Sequence, residues 1–206
     1  MMLQGKIEKY LKEKRGAIHV GANVGEEREW YDDNGFKRVI WFEANPELFD
    51  ELSSNLRPYP FQIPFNLGVH DTLKEGILHV SNNRGQSSSL LEFGTHAKNH
   101  PDVKYTHDVR VRLIRLDEFF AMLKTNLSNY NFLNIDVQGV ELNVIKSFGE
   151  LIEKMDYIYT EVNRAEVYKG CSQIQDIDCY LSIHGFERVE NYFTKADWGD
   201  ALYIRK

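Results

Sequence analysis

The strongest constraint on how this 206-residue chain can fold is one ordered run of signals near its start. Ala17 to Val20 is a short apolar run with a β-branched bias, which reads as a buried strand. Gly21-Ala22-Asn23-Val24-Gly25 is a glycine-bounded turn. A helix is predicted from Glu26 to the stop signal Asn34-Gly35. Arg38 to Phe42 (RVIWF) is a second strand and runs straight into an acid, Glu43. Asn45-Pro46 supplies an N-cap and a first-turn proline for a helix reaching about Leu56, and Phe61 to Val69 contains a third strand. A chain that alternates in this way builds a mostly parallel twisted sheet with right-handed crossovers, so the expected class is α/β with helices on both faces.

In such a sheet the ligand crevice lies beyond the carboxyl ends of the strands. The polar groups expected there are the turn Gly21, Ala22, Asn23 and Gly25, with Glu43, Asp71, Asp136 and Glu161. A glycine turn lets backbone approach a ligand closely, because no Cβ intrudes. An acid at the end of the second strand can accept hydrogen bonds from both hydroxyls of a ribose. Together they predict a nucleoside site; the plainer alternative is a tight turn beside a solvated strand end. The first turn of the next helix carries Glu26 and Glu27, which would repel a pyrophosphate, and the GxGxxG fingerprint is absent. A cationic ligand without phosphate fits better, and S-adenosylmethionine, with its sulfonium and ammonium groups, is one.

The rest of the chain reads less evenly. The N-terminal segment, residues 1–16, is expected to be helical, with Leu3, Ile7, Tyr10 and Leu11 on one face and Gly16 as its stop. Gly76 to Ser81 and Val109 to Ile114 alternate like half-exposed strands. Between them Asn82 to His107 is polar and aperiodic, the pattern of a lid or substrate loop. Leu116 to Leu123 is helical. Phe132 to Val137 and Tyr157 to Val162 are core strands, the first followed by a helix to about Phe148. Ser172 and Gln175 form a capping-box pattern for a helix with Ile174, Ile177 and Leu181 inside, closed by Gly185. Phe186 to Tyr192 and Ala201 to Ile204 predict an antiparallel hairpin on the sheet edge. No repeat or linker divides the chain, so residues 1–206 are expected to form a single domain.

Net charge narrows the partners. At −6 the chain repels phosphate backbones, so a nucleic-acid role is not expected. No stretch is long and apolar enough for a membrane span, and Met1 to Arg15 is too charged for a signal peptide, which together predict a cytoplasmic protein. Cys171 and Cys179 read as free thiols.

Several segments resemble one family. HVGANVG (His19 to Gly25), FEANPELFDEL (Phe42 to Leu52), SSSL (Ser87 to Leu90), RLDEFF (Arg115 to Phe120), NIDVQGVELNVIKSF (Asn134 to Phe148), YTEV (Tyr159 to Val162) and WGDALYI (Trp198 to Ile204) look like the FkbM-type methyltransferases. The resemblance runs from about Ala17 to the end. It implies a Rossmann-like class I methyltransferase fold, S-adenosylmethionine as donor, and O-methylation of a sugar or another hydroxylated metabolite. The chain departs from the family at His19, where an acid that helps hold the donor's ammonium end is common. The resemblance then leaves that contact to Glu26, Asn23 or water. Gln138, where the family often has Glu, is a second departure.

Methyl transfer to an alcohol needs alignment and a base for a weakly acidic hydroxyl. Asp136, at the end of a central strand, is the candidate base, with Glu161 assisting or orienting the acceptor. The plainer roles are a helix cap for Asp136 and an ion pair with Arg164 for Glu161. A divalent cation held by Asp136, Glu161 and Asn163 is a sharper alternative. His96 and His100 have zinc-helix spacing, but Ala97 replaces the Glu of HExxH and Pro101 follows, so two solvated loop histidines are expected. Ser88, in the Ser87 to Ser89 run, and Trp198 are candidate substrate contacts. No G-x-S-x-G elbow supports a serine hydrolase. An inactive nucleoside-binding module and a nicotinamide oxidoreductase are the competing classes.

Overall fold

A computed structural model describes residues 4–206. Seven strands drawn from both ends of the chain share one sheet: β1 (Ala17–Val20), β2 (Val39–Phe42), β3 (Gln62–Phe65), β7 (Phe132–Ile135), β8 (Tyr157–Asn163), β9 (Phe186–Phe193) and β10 (Trp198–Arg205). Their order is β3-β2-β1-β7-β8-β10-β9. The pairs among β3, β2, β1, β7 and β8 are parallel, while β10 runs antiparallel to both neighbours. The strand order reverses between β1 and β7, so a crevice opens at their carboxyl ends.

Helices cover both faces, which is why β1, β2, β7 and β8 are buried along their whole lengths and read as near-continuous apolar runs. Ile18, Val20, Leu133 and Ile135 point to one layer, where α5 (Leu116–Leu123), α6 (Glu141–Lys146) and α7 (Ile174–Ile183) pack. Ala17, Val39, Trp41 and Phe132 point to the other, against α1 (Gln4–Ile7), α2 (Arg28–Asp33) and α3 (Pro46–Asn55). The period-2 alternation of strands sorts these side chains.

A smaller sheet, β4-β6-β5, is built from β4 (Gly68–Val69), β5 (Glu75–Ser81) and β6 (Tyr105–Ile114). The strand expected from Val109 therefore begins at Tyr105, because its first half pairs antiparallel with β5. The polar stretch before it contains one helical turn, α4 (His96–Asn99).

Three other expectations are corrected. The N-terminal helix is short: α1 passes into a 3-10 turn at Glu8–Tyr10, and Ile7 and Leu11 bury against Tyr31 and Trp41; Leu3 lies outside the described residues. Helix α2 begins at Arg28, so Glu26 and Glu27 belong to the turn before it. The α7 cap is Gln173, whose N–H donates to Asp176 at 2.9 Å, one residue along from the Ser172 and Gln175 pattern. At α3 the expected cap is found: Asn45 accepts from the Glu47 N–H at 3.0 Å. No helix among the described residues is long and apolar enough to cross a membrane.

Candidate functional site

A cavity of about 400 Å³ lies over the carboxyl ends of β1, β2, β7 and β8, a size that suits a small-molecule ligand. Gly21, Ala22, Asn23, Glu26, Glu43, Asp136, Glu161, Ser88 and Trp198 all line it, so the structure brings these expected residues to one place. Gly25 closes the turn behind them, with φ +75. Asp71 stands apart. It follows β4, which has left the main sheet, and its carboxylate accepts from Asn143 at 2.9 Å on α6, away from the cavity lining.

Gly21 has φ +86, and its N–H donates to the Phe42 carbonyl at 3.0 Å. A Cβ there would sit 1.7 Å from the Asp136 carbonyl oxygen. The close approach that needs glycine is therefore to the end of β7, across the switch point, rather than to a ligand.

Glu43 is 7% exposed. Its two oxygens accept the N–H groups of Asn23 and Asn45, each at 2.7 Å. Burial pushes its carboxyl up to about 7 against the backbone hydrogen bonds that favour the charge. Each oxygen keeps lone pairs for a further donor, as ribose recognition requires.

At the place where the family commonly has an acid, His19 is built into an aromatic layer as a neutral ring. It lies 2% exposed, stacked on Trp41 with centroids 4.6 Å apart, and its Nδ1 is 3.1 Å from the Tyr31 hydroxyl. Asn134 donates to that hydroxyl at 2.8 Å, leaving the phenol proton for the imidazole. Burial lowers the ring to about 3, so it is neutral. The depressed value sets a sign: the stability tied to neutral His19 is complete above about 6.5 and is lost as pH falls towards about 3. Over that window urea unfolding should show stability falling by up to about 1.4 kcal/mol per pH unit more in the native chain than in His19→Gln. Parallel pH profiles would remove His19 as the titrating group. Comparing the two chains cancels the buried carboxyls, whose effect has the opposite sign.

Asp136 and Glu161 meet at one amide. The Gln138 Nε2 donates to Asp136 Oδ1 at 2.5 Å and to Glu161 Oε2 at 2.7 Å, and its Oε1 accepts from the Tyr168 hydroxyl at 2.5 Å. Burial, then neighbouring carboxylates, raises Glu161 well above the usual range; burial chiefly raises Asp136 as well. Asp136 does not cap α6, and no other side chain does. Glu141, the first residue of that helix, ties down the loop before it, accepting the Gly139 N–H at 2.9 Å and the Val137 N–H at 3.4 Å. Nor does Glu161 pair with Arg164, which bonds Asp197 at 3.0 Å.

Glu141, Tyr168 and Asp200 were missed by sequence reasoning. The first and last sit within the quoted family segments, which was the available signal. Asp200 pairs in register with Glu161 across β10 and β8, and its carboxylate accepts from Tyr159 at 2.8 Å.

The 82–107 segment forms a wall of the cavity and is tied down. Ser89 Oγ donates to the Gln138 carbonyl at 2.6 Å, and Tyr105 donates to Leu91 at 2.7 Å. Ser88 Oγ accepts the Ser81 N–H at 3.1 Å. His96 is buried rather than solvated. It stacks on Phe93 with centroids 4.4 Å apart, its Nε2 lies 3.2 Å from Ser87 Oγ, and burial lowers it to about 4. Among the described residues no three His, Cys, Asp or Glu are grouped to hold a metal ion.

Six acidic side chains line the cavity (Glu26, Glu27, Glu43, Asp136, Glu161, Asp200), with no Lys or Arg among the described lining residues. Even with burial holding protons on part of that set, the uncompensated acidity, with apolar surface from Ala44, Leu67 and Val69, fits a nucleoside bearing cationic groups and opposes a pyrophosphate.

Residues 19–188 match the family described as the Methyltransferase FkbM domain. The 2-O-methyltransferase NoeI of Sinorhizobium fredii (strain NBRC 101917 / NGR234) is 26% identical over 192 residues, covering 90% of this chain and 77% of that protein. Among solved structures, magnesium protoporphyrin IX methyltransferase (ChlM) from Synechocystis PCC 6803 with bound SAM matches with a TM-score of 0.52 at 9% identity, over 98% of this chain and 78% of that one. Ribosomal protein L11 methylase from Lactobacillus delbrueckii subsp. bulgaricus matches with a TM-score of 0.55 at 11% identity, over 100% and 76%. At such identities the likeness is one of fold, and the acceptors in those names differ widely. The strand order, the acid-lined cavity at the switch point and the matched family agree: the chain belongs to the FkbM methyltransferases, enzymes that take their methyl group from S-adenosylmethionine.

Proposed function

We propose that the chain methylates a hydroxyl group on a sugar or another small hydroxylated metabolite, with Asp136 as the base. The observation that carries this reading is the Asp136–Glu161 pair at the adjoining ends of β7 and β8, facing the cavity. When bound, S-adenosylmethionine supplies a methyl group on a positively charged sulfur, so the leaving group needs no acid. The chain's own task is to align the acceptor and take its proton as the new C–O bond forms and the S–C bond breaks. Asp136 takes that proton, and Ser88 and Trp198 contact the acceptor. The name of the NoeI relative supports an oxygen as the methylated atom. A small acceptor also suits the acidic cavity better than a phosphate backbone does.

On the donor side, Asn23, Glu26 and the Gly21-Ala22 backbone hold the methionine end, and Glu43 holds the ribose. Glu43→Ala should weaken binding of S-adenosylhomocysteine about 10- to 100-fold in calorimetry, the loss expected for a charged acceptor serving two hydroxyls. Because only the ionised carboxylate accepts both, affinity in the native chain should also rise with pH through about 7 and flatten in the variant. Unchanged affinity would take Glu43 out of the site.

A further inference from the structure

Gln138 is a residue with a Cβ held at φ +58, the left-handed region that glycine usually occupies. The strain is maintained by four hydrogen bonds that converge on this one residue. Its carbonyl accepts from Ser89 Oγ at 2.6 Å, and its carboxamide joins Asp136, Glu161 and Tyr168. The phenol donates to Oε1 and both N–H groups face the two acids; a flipped amide would set its oxygen against the Asp136 carboxylate.

The charged and titratable groups around this pair come from every packed element. Glu141 on α6, Asp200 on β10 and Glu27 before α2 are acids that act on it. Tyr168, with Tyr105 and His96 near its ring, closes the other side. Two acids this close, with no Lys or Arg among the described residues around the cavity, cannot both ionise cheaply. Glu161 is 3% exposed and has acids on three sides, whereas Asp136 is only half-buried and opens to the cavity.

We propose that Gln138 is a positioning residue whose neutral carboxamide bridges Asp136 and Glu161 so that they share one proton, held by Glu161, leaving Asp136 ionised towards the acceptor. This rests on the reading of Asp136 as the base. A glutamate in its place would add a third acid and demand another proton.

Carbon-13 NMR of labelled aspartate and glutamate carboxyls, followed against pH in the full chain with and without S-adenosylhomocysteine, reads the bridge directly. In the native chain the pair should titrate in two separate steps, with one proton still held at neutral pH. Gln138→Glu should move the lower step up by about one pH unit or more. Tyr168→Phe, which removes only the anchor on Oε1, should move it the same way by less. A third acid at position 138 raises the step whether or not the amide bridges the pair, so Tyr168→Phe carries the decision: a purely structural role would leave its titration where it is in the native chain. Unmoved steps in Tyr168→Phe, or a native pair that ionises fully in the ordinary carboxylate range, would overturn the proposal. Calorimetry with S-adenosylhomocysteine is read separately: failure to bind would sink the donor-site reading while leaving the bridge measurable in the free protein.

Discussion

Asp136→Asn is expected to lower methyl transfer by about two to four orders of magnitude while donor affinity stays nearly unchanged, the signature of losing a positioned general base. The substitution keeps size and shape and removes only the proton acceptor. Single-turnover assays on an accepting glycoside give the rate, and calorimetry with S-adenosylhomocysteine gives the affinity. The competing roles predict other patterns. A metal ligand would make the native enzyme sensitive to chelators and the variant unable to bind magnesium or manganese. A helix cap would appear as about 1 kcal/mol of lost stability with turnover intact; the Asp136 carboxylate bonds Gln138 while Glu141 takes the N–H groups before α6, so that pattern is not expected. Full methyl transfer by the Asn variant would end the base hypothesis. A loss that appears in KM alone would make Asp136 a binding group.

How far the sequence reveals this site depends on whether a residue's place is set locally or by long-range pairing. The strands β1, β2, β7 and β8 are legible because both faces are covered, which makes each a short apolar run with a polar group at its end. Glu43, Asp136 and Glu161 are found by that rule alone. Asp71 obeys the same rule and misleads, because the segment after β3 turns away to pair β4 with β6, and its end faces α6 instead of the cavity. The strand-end rule passes over Asp200 for the converse reason. It reaches Glu161 only because the last strand inserts between β8 and β9 in one particular register, and nothing local encodes that register. His19 reads as a missing acid in sequence and as a neutral ring turned into an aromatic layer in three dimensions. The 82–107 segment is aperiodic because its contacts are made one at a time, to Gln138, Val167 and β5, rather than along one face.

Gly21→Ala should be among the most damaging single substitutions in the chain, costing more than about 4 kcal/mol of stability, and Gly21→Val should not fold. Two effects add. An L side chain at φ +86 costs about 1–2 kcal/mol wherever it occurs. The added Cβ would also lie 1.7 Å from the Asp136 carbonyl oxygen and 2.7 Å from its carbon, which are backbone atoms at the end of β7. No rotamer change relieves that overlap; β1 and β7 must part where the Asp136 N–H donates to the Val20 carbonyl at 2.9 Å. Gly35 is the internal control. Its φ is +77 and nothing lies within 4 Å of its would-be Cβ, so Gly35→Ala carries the backbone strain without the clash. Urea unfolding of the two alanine variants therefore separates the terms, and the excess loss at position 21 measures the contact across the switch point. A domain with 5–15 kcal/mol of total stability, as is ordinary, would have little left after such a loss. Donor binding would disappear with the fold rather than ahead of it. Should Gly21→Ala unfold within about 1 kcal/mol of Gly35→Ala yet fail to bind S-adenosylhomocysteine, the glycine would be serving the ligand's approach and the strand contact would be incidental.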